Sequence, residues 1–243
     1  MRQKFTFSFL ILCALLICNC KKEPVEGSYD NRVLGASASD LLSSSRYSTL
    51  QIEIQYMPGY EPDNESINNL LSFLNSRINK PGGIRIAKEQ IPTSNLPITS
   101  LSDIVNIERK RRYYLTNGNT VSVYILITDS SYSEGDILAT AYWNTAFCIF
   151  GKTVDDNSGA PDEVSRSVLM TTLLEHEFGH LFGLVDLGSP MVINHKDNNN
   201  GAHCNNPDCL MYYNVEAGFT DALESAPSLD SSCLADLKAN GGK

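Results

Sequence analysis

The stretch from Leu173 to Leu184 reads LLEHEFGHLFGL and sets His176, Glu177 and His180 in the order H-E-x-x-H. On an α-helix of about 3.6 residues per turn, positions four apart lie about 40° from each other, so both imidazoles project from one face. Two neutral ring nitrogens placed this way can grip one zinc ion. Glu177 follows the first ligand directly, which puts its carboxylate beside the metal rather than on it. There it can act as a general base and take a proton from an activated water. Gly183 falls three residues after His180 and lets the helix end abruptly in the left-handed conformation, turning the chain back toward the metal.

A zinc site of this kind needs a third ligand, and the chain offers Asp186, His195 and His203. Asp186 stands three residues after Gly183, and a carboxylate is competent to bind zinc. His195 has Asp197 nearby, which could orient its ring through an outer hydrogen bond. His203 opens the run HCNNPDCLMYY, which carries Cys204, Cys209, Met211, Tyr212 and Tyr213.

The extended pattern H-E-x-x-H-x-x-G, with a histidine and a methionine downstream, resembles the metzincin zinc peptidases, in which a glycine turn follows the helix and a methionine turn underlies the metal. The run from His203 to Met211 is similar to the archaemetzincin branch, where the third histidine is directly followed by such a cysteine pair. In that branch the third histidine stands three residues after the glycine, the place held here by Asp186, so residues 187–202 intervene. The resemblance favours His203 as third ligand, ahead of Asp186 and His195. It implies a Zn2+ cofactor, peptide-bond hydrolysis with Glu177 as general base, and a peptide or protein substrate lying antiparallel to an edge strand within Ala139 to Phe150. It also gives Tyr213 the place of a tyrosine that hydrogen-bonds the oxyanion in some metzincins, while packing in the core is the equal alternative for Tyr212 and Tyr213. Two other functions remain open at this level: a surface binding module that keeps the scaffold without turnover, and a zinc amidase acting on a non-peptide amide of the cell envelope.

At the N-terminus, Arg2 and Lys4 precede an apolar run from Phe5 to Cys18 that is shorter than the roughly 20 residues of a membrane-spanning helix, so it reads as a secretory signal. Ile17-Cys18-Asn19-Cys20 followed by the polar Lys21-Lys22-Glu23-Pro24 resembles a bacterial lipoprotein signal and is similar to lipoproteins of the Bacteroidota. That resemblance implies export, a lipid on Cys20, and anchoring to the cell envelope at the outer membrane or the cell surface. The expected organisation is a signal over residues 1–20, a Ser-, Gly- and Asp-rich tether over 21–47, and one peptidase domain over 48–243. A net charge of −9 excludes nucleic acid as a partner, since phosphate binding needs a basic surface. With the signal removed and Cys20 lipidated, Cys148, Cys204, Cys209 and Cys233 remain. Export favours a Cys204–Cys209 disulfide, and Cys148 reads as a buried apolar side chain. Archaemetzincins use their cysteines for a structural zinc, with a later C-x-x-C that this chain lacks.

The elements that must hold the site follow from periodicity. Leu50, Ile52, Ile54 and Tyr56 alternate with Gln51, Glu53 and Gln55, a strand with one buried face. Asp63 caps a helix carrying Ile67, Leu70, Leu71, Leu74 and Ile78, which Pro81-Gly82-Gly83 stops. Ile84 and Ile86 form a short strand. Ser102 caps a second helix, whose basic end from Arg109 to Arg112 is solvated and offsets the helix dipole. Strands follow at Val121 to Ile127 and at Ala146 to Phe150. On the H-E-x-x-H helix, Met170, Leu174, Phe178 and Leu181 face the core. The predicted fold is α/β and metzincin-like: a twisted mixed sheet packed on two to three helices, the H-E-x-x-H active-site helix, and an irregular C-terminal subdomain. Within that subdomain Asp197 to Gly201 reads as a polar turn.

Overall fold

A computed structural model describes residues 28–94, 97–98, 100–132, 137–217 and 223–243. Five strands form one sheet: β1 (Thr49–Tyr56), β2 (Ile84–Gln90), β3 (Thr120–Thr128), β4 (Ala139–Trp143) and β5 (Ala146–Phe150), in the order β2-β1-β3-β5-β4. The first four in that order run parallel, and β4 pairs antiparallel to β5 through a tight hairpin. The helices are α1 (Ala38–Leu42), α2 (Asn64–Arg77), α3 (Leu101–Arg111), α4 (Gly151–Asp156), α5 (Arg166–Leu181), α6 (Asn214–Ala217) and α7 (Ser231–Ala239). The sheet is mixed and metzincin-like as expected, with α5 as the H-E-x-x-H helix. Among the described residues beyond α5, regular structure is limited to the short α6 and α7.

Each face of the sheet has its own core. Val121, Val123, Ile125 and Ile127 of β3 point toward Leu70 and Leu74 of α2 and Leu173, Leu174 and Phe178 of α5. Tyr124 and Leu126 point the other way, with Cys148 and Phe150 of β5 and Ile104 of α3. This second layer corrects the expectation that β1 has one wet face, because Gln51, Glu53 and Gln55 are all buried. The chain leaving α3 covers them. The Glu53 carboxylate accepts the backbone N–H groups of Tyr113 and Tyr114, and the Gln55 amide donates to Glu53 and to the carbonyl of Arg111. Buried polar groups are tolerated when their hydrogen bonds are made, and here the polar alternation serves a second interface rather than solvent.

Local signals placed α2 well. Asp63 accepts from the Ser66 N–H at 2.9 Å, and the helix stops before the proline-glycine run. For α3 the cap lies two residues earlier than expected. Ser100, not Ser102, begins the helix in a reciprocal capping box with Asp103. The basic end of α3 differs from expectation at its last residue, since Arg109 to Arg111 are exposed but the side chain of Arg112 is buried. It bonds Glu108 at 2.8 Å, the carbonyl of Ser122 and, at 3.4 Å, the carboxylate of Asp30.

Asp30 marks the largest correction to the domain boundaries. Residues 28–47, expected within the tether, are part of the folded body: Leu41 and Leu42 are fully buried, and Lys80 donates to the carbonyls of Asp40, Ser43 and Tyr47. Burial lowers the Lys80 pKa to about 8. The same segment clamps the β4–β5 turn. Asn144 exchanges hydrogen bonds with the backbone of Arg32 and donates to Tyr29 O and Ser37 Oγ, so the edge of the sheet beside α5 is held from outside. Glycines allow a second contact, since a Cβ on Gly35 would collide with the carbonyl of Leu187, shortly after α5. The expected signal over residues 1–20, Cys20, and residues 21–27 of the tether lie outside the described residues. Leu41→Ala should therefore lower the unfolding free energy by about 2–5 kcal/mol, as for a core leucine. Denaturant unfolding of the purified chain measures this; a change within error would return the segment to a tether.

Candidate metal centre

Helix α5 begins at Ser165, whose hydroxyl accepts from the N–H of Val168, and runs to Leu181 with every residue from Leu169 onward buried. Met170, Leu174, Phe178 and Leu181 form the stripe against the sheet, as their spacing predicted. The opposite face is buried as well, under the C-terminal half, and it carries His176 and His180. Gly183 then takes φ 71° and ends the helix in the left-handed region. A Cβ there would press on the backbone of Ser189 and on Ala38, so glycine is required for both conformation and space.

His176, His180 and His203 come together, each offering a ring nitrogen within 4.8 Å of the others. Nε2 of His176 and Nε2 of His180 are 3.0 Å apart, and the three rings have centroids 4.7–5.3 Å apart. Nδ1 of His176 lies 2.7 Å from the carbonyl of Leu210, and Nδ1 of His203 lies 2.6 Å from the carbonyl of Asn200. A carbonyl can only accept, so each of these Nδ1 atoms carries the proton and each Nε2 presents a lone pair to the cluster. Three convergent imidazoles with two tautomers fixed by outer carbonyls are a donor set that fits a zinc ion with an open fourth position. Glu177 is fully buried on the same helix.

The structure distinguishes the candidates for the third ligand. Val185 and Asp186 both adopt positive φ, 54° and 69°, which redirects the chain after Gly183. Asp186 then points to solvent and pairs with Lys196 at 3.1 Å. His195 joins a different cluster. His203 is delivered by a β-bridge between Lys196 and Cys204, and the loop inside that bridge is tightened by Asp197, which accepts from the Asn199 N–H and the Asn200 side chain. Those bonds hold the Asp197 carboxyl below its usual range and explain the polar turn as turn chemistry.

Met211 lies under the histidines, and the residue that admits it is Gly179. A Cβ at Gly179 would collide with the Met211 sulfur. The sequence reading missed Gly179, although a glycine inside a helix, costing about 1 kcal/mol relative to alanine, is itself a signal of close approach. It also missed the carbonyls of Leu210 and Asn200, for which no side-chain pattern exists. Tyr213 is half-buried near Met211, with its ring 4.7 Å from that of Tyr212.

The four cysteines of the folded body are reduced and buried, which corrects the expected Cys204–Cys209 disulfide. Cys209 instead lies beside Cys233, with Sγ atoms 3.7 Å apart. Hydrogen bonds from Cys204 and Cys233 pull the Cys209 thiol well below its usual range. Cys148 behaves as expected: burial first, and the charge of Glu177 second, push its thiol well above the usual range, where it stays protonated and inert.

A mixed sheet whose edge strand β4 lies beside an H-E-x-x-H helix, with a third histidine and a methionine brought in by an irregular C-terminal half, is a metzincin-like fold. Among solved structures it is similar to the archaemetzincin of Methanopyrus kandleri, at 15% sequence identity and a TM-score of 0.51, over 80% of this chain and 97% of that one. It is also similar to metalloproteinase-II from Bacteroides fragilis, at 16% identity and a TM-score of 0.43, over 82% of this chain and 54% of that one. No family model and no curated protein matches the chain. If His203 is the third ligand, His203→Ala should lose most of its metal after dialysis while Asp186→Asn keeps it. Elemental analysis of both purified variants decides, and the reverse pattern would transfer the role to Asp186.

Proposed function

We propose that this chain is an exported zinc metallopeptidase, anchored to the cell envelope by a lipid on Cys20. The observation that carries the catalytic reading is the convergence of three imidazole nitrogens from His176, His180 and His203 with the carboxylate of Glu177 interleaved on the same helix. A zinc ion held there would polarise a scissile carbonyl and lower the pKa of a water from about 15.7 toward 7. Everything else falls to the chain. Glu177 sits one position from the first ligand on a buried helix, so its carboxylate is placed to take the proton of the attacking water and then return it to the leaving amine. Tyr213 follows the methionine turn and supplies a hydroxyl for the developing oxyanion.

Strand β4 gives this site a peptide-binding wall. It is the terminal strand of the sheet, antiparallel to β5, and no other described strand pairs with its outer side. An extended peptide can add to that edge through backbone hydrogen bonds, which favours peptide over a compact non-peptide amide. The fully buried Glu177, next in sequence to the first histidine of the cluster, also favours turnover over a binding module, because it puts a proton acceptor where the chemistry needs one.

Glu177→Gln should abolish hydrolysis of a mixed peptide library, by at least a hundredfold in kcat/KM, while metal content stays at the wild-type level. Glutamine keeps the shape but cannot accept the proton, so wild-type turnover by the metal-loaded variant would sink the mechanism. The anchor is checked separately. Mass analysis of the mature protein should find a lipidated Cys20 at its N-terminus, and an unmodified N-terminus elsewhere would remove the membrane from this account.

A further inference from the structure

A second group of metal-binding side chains lies beneath the loop that delivers His203. Nδ1 of His195, the thiols of Cys204 and Cys233 and the carboxylate of Asp230 all lie within 4.8 Å of one another, and Cys209 adds its thiol 3.7 Å from that of Cys233. His195, Cys204, Cys209 and Cys233 are buried. They come from three places in the chain: the segment 187–202, the run after His203, and α7.

Three thiols packed for volume alone would not need an imidazole aimed among them. Nε2 of His195 lies 2.8 Å from a carboxylate oxygen of Asp236, which is fully buried and whose other oxygen accepts the N–H of Val192 at 2.6 Å. That carboxylate fixes the proton on Nε2 and leaves the lone pair of Nδ1 pointing at Cys204, 3.3 Å away, and Cys233, 3.9 Å away. A carboxylate behind an imidazole in this way is the arrangement that orients histidine ligands on metals. The separations of Nδ1 of His195 from Cys204 and Cys233, and of Cys209 from Cys233, fit as well. Tetrahedral coordination with Zn–S of about 2.3 Å and Zn–N of about 2.0–2.1 Å requires sulfurs about 3.8 Å apart and sulfur to nitrogen about 3.6 Å. A disulfide would need sulfurs about 2.05 Å apart and would strand the third thiol.

The choice of fourth donor lies between Cys209 and Asp230. One oxygen of Asp230 caps α7 by accepting the Cys233 N–H at 2.9 Å, and the other is already engaged, accepting from the Asn206 amide at 3.1 Å and from the Cys204 thiol at 3.5 Å. Cys209 receives the backbone N–H groups of Met211 and Asp230, each at 3.4 Å, donors that favour a sulfur carrying negative charge. Soft thiolates also outcompete carboxylate for zinc.

Archaemetzincins hold a structural zinc on cysteines alone; we propose that here, where the fourth cysteine is absent, Cys204, Cys209, Cys233 and Nδ1 of His195 hold such an ion, with Asp236 orienting His195 and Asp230 capping α7 without ligating. The segment 187–202 then has a function: it supplies the histidine that stands where a fourth cysteine is absent. Four protein donors leave no open position, so the site takes a metal and no substrate. It stitches the segment 187–202 to α7 and to the strand that bears His203. The site does not depend on the peptidase reading, and a chain with no hydrolytic activity would still hold it.

Cobalt substitution of the full chain, purified under reducing conditions, tests this. Thiolate-to-cobalt charge transfer in the near ultraviolet can arise only from the second site, because the first holds imidazoles alone. Two metal ions per chain and a three-thiolate band are expected. His195→Cys should keep the ion and raise the band to about four-thirds of its native intensity, as a fourth thiolate replaces nitrogen. His195→Ala should weaken retention of that ion at least tenfold, and Asp230→Asn should leave the band unchanged. One ion per chain without a thiolate band in the native protein, or a disulfide among the three cysteines in its intact mass, overturns the site. A band that survives Cys209→Ser and vanishes in Asp230→Asn overturns the donor assignment.

Discussion

A buried imidazole can present only one nitrogen to a metal, and the hydrogen bond made by the other nitrogen decides which. In this protein those outer bonds come from backbone carbonyls far from α5 in the chain: Leu210 for His176 and Asn200 for His203. The histidines of α5 therefore cannot be organised by the sequence of that helix alone. They depend on the C-terminal half folding back over it, and the closeness of that approach is set by Gly179, which leaves room for Met211. The irregular structure after α5 follows from the same requirement, since a regular helix or strand would spend its carbonyls on itself.

The sheet edge beside α5 has a different support. Strand β4 is held at its turn by Asn144, whose side chain and backbone are tied to Tyr29, Arg32 and Ser37. The neighbouring Asp30–Arg112 pair is almost wholly excluded from water, with exposures of 2% and 4%. Thr116 and Thr145 contribute further hydrogen bonds to Asp30, and Glu108 to Arg112. An ion pair in such a place is tolerated when its lone pairs and protons are satisfied, and losing one partner leaves the other stranded. The N-terminal segment is thus a structural part of the folded body, reaching both the sheet edge and the turn after α5.

The run from His203 to Met211 serves several purposes at once. His203 faces the histidine cluster, Cys204 and Cys209 face the thiol cluster, Leu210 offers its carbonyl to His176, and Met211 fills the space beneath α5. These duties can be divided because His203 and Cys204 are successive residues at a β-bridge, while the turns after Asn206, closed by the Cys204 N–H on the Met211 carbonyl, bring Cys209 back to the thiols. Rigidity at the thiol cluster is consequently passed to the third histidine through a single peptide bond.

Much of this was fixed locally. The H-E-x-x-H spacing put His176 and His180 on one helical face with Glu177 beside them, Asp63 capped α2, Gly183 ended α5, and the period-two runs located β1 and β3, because each depends on backbone geometry over a few residues. The strand β4, with little apolar alternation of its own, is defined by pairing with β5. The two-sided burial of β1, the incorporation of residues 28–47, the burial of Arg112 and the separate fates of Asp186, His195 and His203 were decided by tertiary structure. Three residues of suitable chemistry competed for one position in the sequence. What selected among them was the left-handed turn at Val185 and Asp186 and the bridge between Lys196 and Cys204, long-range geometry that no local spacing encodes.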